Sequence, residues 1–358
     1  MKLRKSCALA VTIFLIFTAI SFSQTDEDIY NGFQLNFFSP GAAAAGMGGA
    51  FIGYTYDNST PFYNPAGIVF IEETELSAEF KMSDWNTIRP ADTDSFSSGN
   101  LSEFSSTVFS PSSLCFTYTF GNISFALYGS NMINLSNEFQ LEARQLPGSE
   151  TVLSPRSGSI SLDGYNIQLA IGLKMSDYLS LGISAGMFIL DVQSTNSIHV
   201  INNADYSDTS TPVYKQTVID DYADAFSFSA GLLLTPIENL NIGVVFAHYA
   251  PVTYQQNLYV GGTADTGYLF NTIDVVFDLP DRYGIGVSYK PLNRLVIAFD
   301  YHSIQYSQLT DVSVAAYDDA AMGISRGDDI SSYFDNKDYV ELHVGVEYKI
   351  GSDDRPIY

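Results

Sequence analysis

The sequence predicts an all-β fold: a transmembrane antiparallel β-barrel of about ten to eleven strands, preceded by an export signal and an N-terminal hatch or plug in the lumen. Three observations predict it. Apolar and small polar residues alternate with period two over most of the chain. Short and long connections between the alternating runs themselves alternate. An export signal is followed by no apolar stretch long enough for a helical span and by a single cysteine, so neither membrane helices nor an internal disulfide can organise the chain.

The first element is the N-terminal MKLRKSCALAVTIFLIFTAISFSQ. Lys2, Arg4 and Lys5 precede an apolar run from Ala8 to Phe22, and the small residues Ser21 and Ser23 precede Gln24. This is the pattern of a cleaved signal peptide over residues 1–23. Cleavage removes three positive charges and no negative ones, taking the net charge from −24 to −27. Forty acidic residues against 16 basic ones repel phosphates, which excludes nucleic-acid binding. Aromatics make up 14% of the chain, more than a disordered acidic polymer carries. The one cysteine left after cleavage is Cys115.

From residue 74 onward come the strands. In YNIQLAIGL, Tyr165, Ile167, Leu169, Ile171 and Leu173 share one face, while Asn166, Gln168, Ala170 and Gly172 share the other. LSLGISAGMFI repeats the pattern after the turn KMSDY, so the two runs form a hairpin. The same alternation begins near residues 74, 113, 122, 164, 179, 224, 239, 281, 294 and 339. A soluble sandwich or small closed barrel would turn the apolar face inward. The connections favour the opposite arrangement. Short turns lie near 121, 176, 237, 292 and 353, and polar stretches expected as long loops lie near 85–112, 136–163, 193–223, 250–280 and 307–337. One end of tight turns and one of long loops is the layout of an outer-membrane barrel. Tyr289, Tyr301 and Tyr348 near strand ends suit an aromatic girdle. Ten strands with a possible eleventh at Pro356–Tyr358 suggest a barrel over residues 74–358 that continues beyond the present C-terminus, with a ten-stranded barrel as the alternative.

Residues 24–73 do not alternate. They include PGAAAAGMGGAFIG and NSTPFYNPAGIVF. Small side chains allow close approach to a wall, and Pro65 biases Asn64 away from helix. A plug with a rigid kink is expected, with Gly46, Gly48, Gly49, Asn64, Pro65, Ala66 and Gly67 as hatch residues. This segment resembles the FadL-type outer-membrane transporters, through GAAAAGMGGAFIG, NPAGI at Asn64–Ile68, and LPDRYGIGVSYKPLNRLVIAFDY further on. The resemblance implies a fourteen-stranded barrel with a lumenal hatch, and passive uptake of long-chain fatty acids or other hydrophobic compounds across outer-membrane lipid. PorV-like barrels share the Asn-Pro-Ala-Gly signature and serve protein secretion as scaffolds or shuttles, so that function stays open as the alternative. No ligand contacts can be carried over. Phe104, Phe109, Tyr254, Tyr259 and Phe270 are candidates for ligand capture because they are aromatics in the expected long loops.

Other motifs carry little. GISAG matches a nucleophilic-serine pattern, but Ser184 lies in an alternating strand, not at a strand-to-helix elbow. His199, His248, His302 and His343 have no metal-ligand spacing, and Asp92, Asp94 and the Asp220, Asp221, Asp224 group lack a calcium-loop pattern. Neither an enzyme nor a cofactor or metal is expected.

Overall fold

The computed structural model describes residues 41–55, 57–90, 101–141, 144–145, 152–153, 156–200, 212–308, 337–352 and 355–357. The signal peptide and Asp92 and Asp94 lie outside them, as do residues 24–40 of the expected plug. Two short helices come first, α1 (Ala42–Gly46) and α2 (Thr60–Tyr63), then a 3-10 turn over Pro65–Phe70. The strands follow as β1 (Glu75–Pro90), β2 (Leu101–Phe120), β3 (Ile123–Leu141), β4 (Arg144–Gln145), β5 (Val152–Leu153), β6 (Arg156–Ser176), β7 (Leu179–His199) and β8 (Val213–Ile237). Then come β9 (Leu240–Tyr249), β10 (Val252–Val260), β11 (Tyr268–Phe277), β12 (Arg282–Leu292), β13 (Leu295–Ile304), β14 (Tyr339–Tyr348), β15 (Ile350–Ser352) and β16 (Arg355–Ile357).

Ten strands form a continuous antiparallel path, β1-β2-β3-β6-β7-β8-β9-β12-β13-β14, and they are the ten that the alternation locates. The β10–β11 hairpin joins the same sheet through the upper part of β8. The polar stretches expected as loops differ from expectation. Much of 85–112, 136–163, 193–223 and 250–280 continues as strand, and β8 runs for 25 residues. Ladder hydrogen bonds do not need an apolar face, so the strands extend past the point where lipid ceases to select their side chains.

The wall is inverted relative to a soluble protein. Ile183 is 62% exposed, Leu169 53% and Leu342 63%, all on the outer face. Ser184, Gln168, Ser227 and Asp300 on the inner face are buried. Outward apolar side chains on strands paired along one continuous antiparallel path suit a hydrocarbon surround. Above this band the outer face turns polar at Asn134, Asp163 and Asp191, which stand side by side in the register of β3, β6 and β7.

Inside, a network ties β3, β6, β7 and β8. The Tyr128 hydroxyl lies within hydrogen-bonding distance of both Gln168 Oε1 and Ser184 Oγ. Gln168 Nε2 donates to Ser227 Oγ (2.9 Å), whose hydroxyl donates to Asn166 Oδ1 (2.7 Å). Ser184 of GISAG is a member of this network, bonded also to Ser229, in mid-strand.

Candidate functional site: the N-terminal segment and an opening in the wall

Residues 41–71 touch the inner faces of all ten strands in the path. Backbone lies almost directly on backbone there, because the wall presents glycines. A Cβ on Gly182 of β7 would fall on the Pro65–Ala66 peptide, and one on Gly243 of β9 would fall on the Ile52 carbonyl. Gly172, Gly231, Gly286 and Gly345 are likewise filled by Ile68, Asn64, Ile52 and Met47. The inward half of the alternating pattern is therefore small for a reason of contact.

Polar bonds fix the segment. Asn64, fully buried, is satisfied on both sides of its amide. Its Nδ2 donates to the carbonyls of Ile52 (3.0 Å) and of Leu232 in β8 (3.2 Å), and its Oδ1 accepts from Ala66 N (3.0 Å). The last bond caps the 3-10 turn, with Pro65 at its first position where no N–H is needed. Asp300 of β13 accepts from the N–H groups of Phe51 (2.6 Å) and Ile52 (2.7 Å) through one carboxylate oxygen. Ser288 Oγ donates to Gly53 O (2.7 Å), and Arg282 Nη2 to Phe62 O (3.2 Å). His343 of β14 has Gly48 O at 2.7 Å from Nδ1 and Glu341 Oε2 at 3.2 Å from Nε2, and its ring meets that of His302 edge to face at 4.9 Å.

Apolar packing gathers at β13. Phe51 packs against Tyr54 and Tyr63 at 5.3 Å each, together with Met47, Val296 and Ala298. Burial pushes the Tyr63 phenol above its ordinary range, with the Arg282 charge opposing, so the ring stays neutral. A second cluster surrounds Ile68 with Cys115, Ala126, Tyr128 and Ala170.

The expected hatch residues take distinct places. Gly48 and Gly49 have φ of 60° and 81° and abut Val344 O and the His343 ring, so both conformation and space require glycine. Gly67 is enclosed by the side chains of Thr55 and Thr60, whereas nothing lies near the Cα hydrogens of Gly46. Pro65 and Ala66 are buried against Gly182 and Gly231. The aromatic candidates do not converge. Phe109 points outward from β2, stacked on Phe80 at 5.8 Å. Tyr254, Tyr259 and Phe270 belong to the β10–β11 hairpin, Phe270 being 73% exposed. Phe104 lies in β2, and its side chain is outside the described residues.

Sequence reasoning missed the opening in the wall. The β2–β3 ladder runs from Phe120↔Ile123 only as far as Ser113↔Ser130. Beyond it β2 stays paired with β1, and β3 with β6. The cause is local. Pro111 has no N–H to donate, the register of β2 slips by one residue beside it, and the register of β3 slips between Asn131 and Ile133. Two facing bulges bend the strands apart. The result is a cavity of about 300 Å³ with Leu76, Leu114, Leu127 and Ile167 at its outer rim and Ser112, Ser113 and Tyr128 inside. A proline followed by Ser-Ser at the start of an alternating run was the available signal. Lys81 Nζ lies 3.4 Å from Asn131 O at the upper edge. Among the described residues no group of three or more His, Cys, Asp or Glu could hold a metal ion.

An apolar outer wall, a filled lumen and a sideways gap define an outer-membrane β-barrel channel. The chain belongs to the outer membrane protein transport protein family (OMPP1/FadL/TodX), whose family model matches residues 24–353. That family comprises outer-membrane transporters of hydrophobic compounds. Solved structures share the fold. The Ralstonia pickettii toluene transporter TbuX is 16% identical, with 88% of this chain and 84% of that one covered and a TM-score of 0.58. The CymD monoaromatic hydrocarbon channel is 12% identical (89% and 82% covered, TM-score 0.54), and a Pseudomonas aeruginosa FadL homologue is 14% identical (87% and 76%, TM-score 0.52). A search of curated proteins gave no match.

Proposed function

We propose that the protein admits a long-chain fatty acid or another hydrophobic small molecule passively, that residues 41–71 are the gate, and that the ligand leaves sideways through the gap between β2 and β3. The observation that carries the reading is the place of the gap. Its lining residue Tyr128 packs against Phe62 of the N-terminal segment at 4.7 Å, its lining residue Ser113 also borders the cavity lined by Asp57, Asn58 and Ser59, and its outer rim merges with the lipid-facing band. A hydrophobic molecule leaving there passes into hydrocarbon without crossing water, so its transfer free energy from water, about 0.8 kcal/mol per CH₂, favours exit. Relatives named as toluene and monoaromatic transporters support the ligand class broadly and leave its length open. The exposed end of the β10–β11 hairpin, with Phe270 and Tyr268, is the capture surface on this reading, and Phe109 lies on the exit side. The secretion-scaffold alternative has no comparable feature in its favour.

The test is a reversible lock. A Cβ on Gly345 would lie 2.9 Å from Met47 Cβ and would fall on Met47 O, so Met47→Cys/Gly345→Cys in a Cys115→Ser background bridges the C-cap of α1 to β14 once the Met47 peptide shifts by about 1 Å. Parental uptake by the reduced double variant is the control that the segment keeps its place. Oxidation is expected to abolish uptake of labelled oleate and toluene by cells lacking their own importers, and reduction to restore it. Undiminished uptake in the fully oxidised protein would overturn the gate.

A further inference from the structure

The two lips of the wall gap both pack against the N-terminal segment, but they are hydrogen-bonded to different bodies. The β3 lip is anchored to the wall itself, because the hydroxyl bonds of Tyr128 run to Gln168 and Ser184 on β6 and β7. The β2 lip is anchored to the N-terminal segment at successive inward positions. Ser113 Oγ donates to Glu79 Oε2 (3.2 Å), and that carboxylate also accepts from Gly41 N (2.8 Å) and Ala42 N (3.0 Å). Asn58 Nδ2 donates to Cys115 O (3.4 Å), and Thr117 Oγ1 donates back to Asn58 Oδ1 (2.6 Å). Thr119 Oγ1 donates to Ile71 O (2.7 Å). Ser113 is also the last residue of β2 paired with β3.

We infer that Glu79 and Asn58 are positioning residues that couple the gate to the wall, so that displacing the N-terminal segment releases β2 and widens the gap between β2 and β3. This rests on the reading of the gap as the exit. The physical reason lies at the end of the ladder. A terminal rung has lost its neighbour on one side and is the first to open. Here the terminal rung at Ser113 is braced from within by Glu79, and the next inward positions by Asn58. The braces are buried or half-buried hydrogen bonds, apart from the exposed one from Ala42 N, and those through Glu79 are charge-assisted. Removing the segment removes the Asn58 and Ile71 bonds to β2 and the Gly41 and Ala42 bonds that hold the Glu79 carboxylate in place, while the Ser113–Glu79 bond between β2 and β1 and the Tyr128 bonds on β3 remain. The lips then part asymmetrically, with β2 moving and β3 staying in place.

The experiment measures the gap directly and does not require transport. Thr107 on β2 and Ser136 on β3 are both exposed and stand beyond the last rung on opposite lips. Nitroxide labels at Thr107→Cys and Ser136→Cys, in a Cys115→Ser background, report the width by pulsed electron resonance in bilayers. Asn58→Ala is expected to shift the distance distribution to longer values, as is Glu79→Ala, and Glu79→Gln to shift it less. The Met47→Cys/Gly345→Cys lock, oxidised, is expected to leave the distribution narrow. Heat-modifiable gel migration identifies folded barrels, and if Asn58→Ala does not fold, the Glu79→Gln against Glu79→Ala comparison decides. Unchanged distances in folded variants would show that the ladder alone holds β2 and would overturn the coupling. The oxidised lock's effect on uptake is a separate readout, so the gate can stand while the coupling fails.

Discussion

Replacing Asn64 by Ala tests the proposed gate at its most enclosed point. The side chain has no exposed surface and makes three hydrogen bonds, to Ile52 O, Leu232 O and Ala66 N. A neutral hydrogen bond contributes about 1 kcal/mol net, and a buried donor left without a partner costs roughly 1–3 kcal/mol. The two carbonyls keep a second lone pair and lose less than the Ala66 N–H does. Together these give about 3 kcal/mol in favour of displaced arrangements of the segment. At a factor of ten per 1.4 kcal/mol, that is roughly a hundredfold rise in their population. The assay is amide exchange of Ala66 and Gly67 in reconstituted barrels, with ion conductance in planar bilayers alongside. Exchange at Ala66 is expected to accelerate by about two orders of magnitude, with transient conducting events absent from the parent protein. The amides of β6 and β7 are expected to keep their protection. Protection of Ala66 within threefold of the parent would refute the reasoning, because it would mean that glycine-to-backbone packing holds the segment without Asn64.

Three further outcomes are expected. Gly182→Val places a side chain on the Pro65–Ala66 peptide and is expected to expel the segment and render it cleavable by added protease, whereas Gly46→Ala, with open space at the same step, is expected to leave the digestion pattern unchanged. Ile183→Arg puts a charge on the lipid face at a cost of about 2–4 kcal/mol near the midplane, and is expected to cut the yield of heat-modifiable barrel; Gln193→Arg, on the same face above the apolar band, is expected to be tolerated. Asp300→Ala removes the shared acceptor of Phe51 and Ile52, each bond to a charged group being worth roughly 1.5–3 kcal/mol, and is expected to raise protease sensitivity of residues 41–71 more than Asp300→Asn does.

The parts of this fold that were legible are the parts in contact with lipid. Hydrocarbon on one side requires an apolar residue at every second position, so runs such as Ile167–Leu173 and Leu179–Met187 identify strand, face and register from sequence alone. Where the strands rise past the membrane the same ladder continues with polar residues on both faces, and the signal is lost. That is why β2 begins at Leu101 and β8 at Val213 inside stretches that read as loops. Asn64 drew notice through Pro65 beside it, and one of its bonds is local, a cap two residues from its partner, but its bond to Leu232 spans 168 residues and left no trace in the sequence. Asp300 was not legible, since the amides it holds lie 248 and 249 residues earlier in the chain. Its carboxylate sat in the polar phase of an alternating run, where nothing separates a structural acceptor from a solvated charge. Nor does the sequence show why Gly182 and Gly243 are glycine, since their partners are the Pro65–Ala66 peptide and the Ile52 carbonyl, more than a hundred residues earlier in the chain.

The distribution of attachments also says where the segment is weakest. On the β12–β14 side it is held by a buried carboxylate, by the Ser288 and His343 contacts, and by the Phe51–Tyr54–Tyr63 cluster. Toward the short turns, Ile68 sits in its own apolar cluster and Ile71 is bonded to Thr119. Beside the wall gap the attachments are Asn58, the Glu79 carboxylate and the edge-to-face contact of Phe62 with Tyr128 at 4.7 Å, and the longest of the hydrogen bonds is 3.4 Å. Glu79 and Asp57 there line a cavity of about 110 Å³ that also borders Ser113. Apolar burial resists displacement over a range of positions, whereas a few hydrogen bonds next to a polar cavity can be exchanged for water at small net cost. On the proposed reading, displacement of the segment is therefore expected to start at β2 and pivot about β13, which is the direction that clears the gap first.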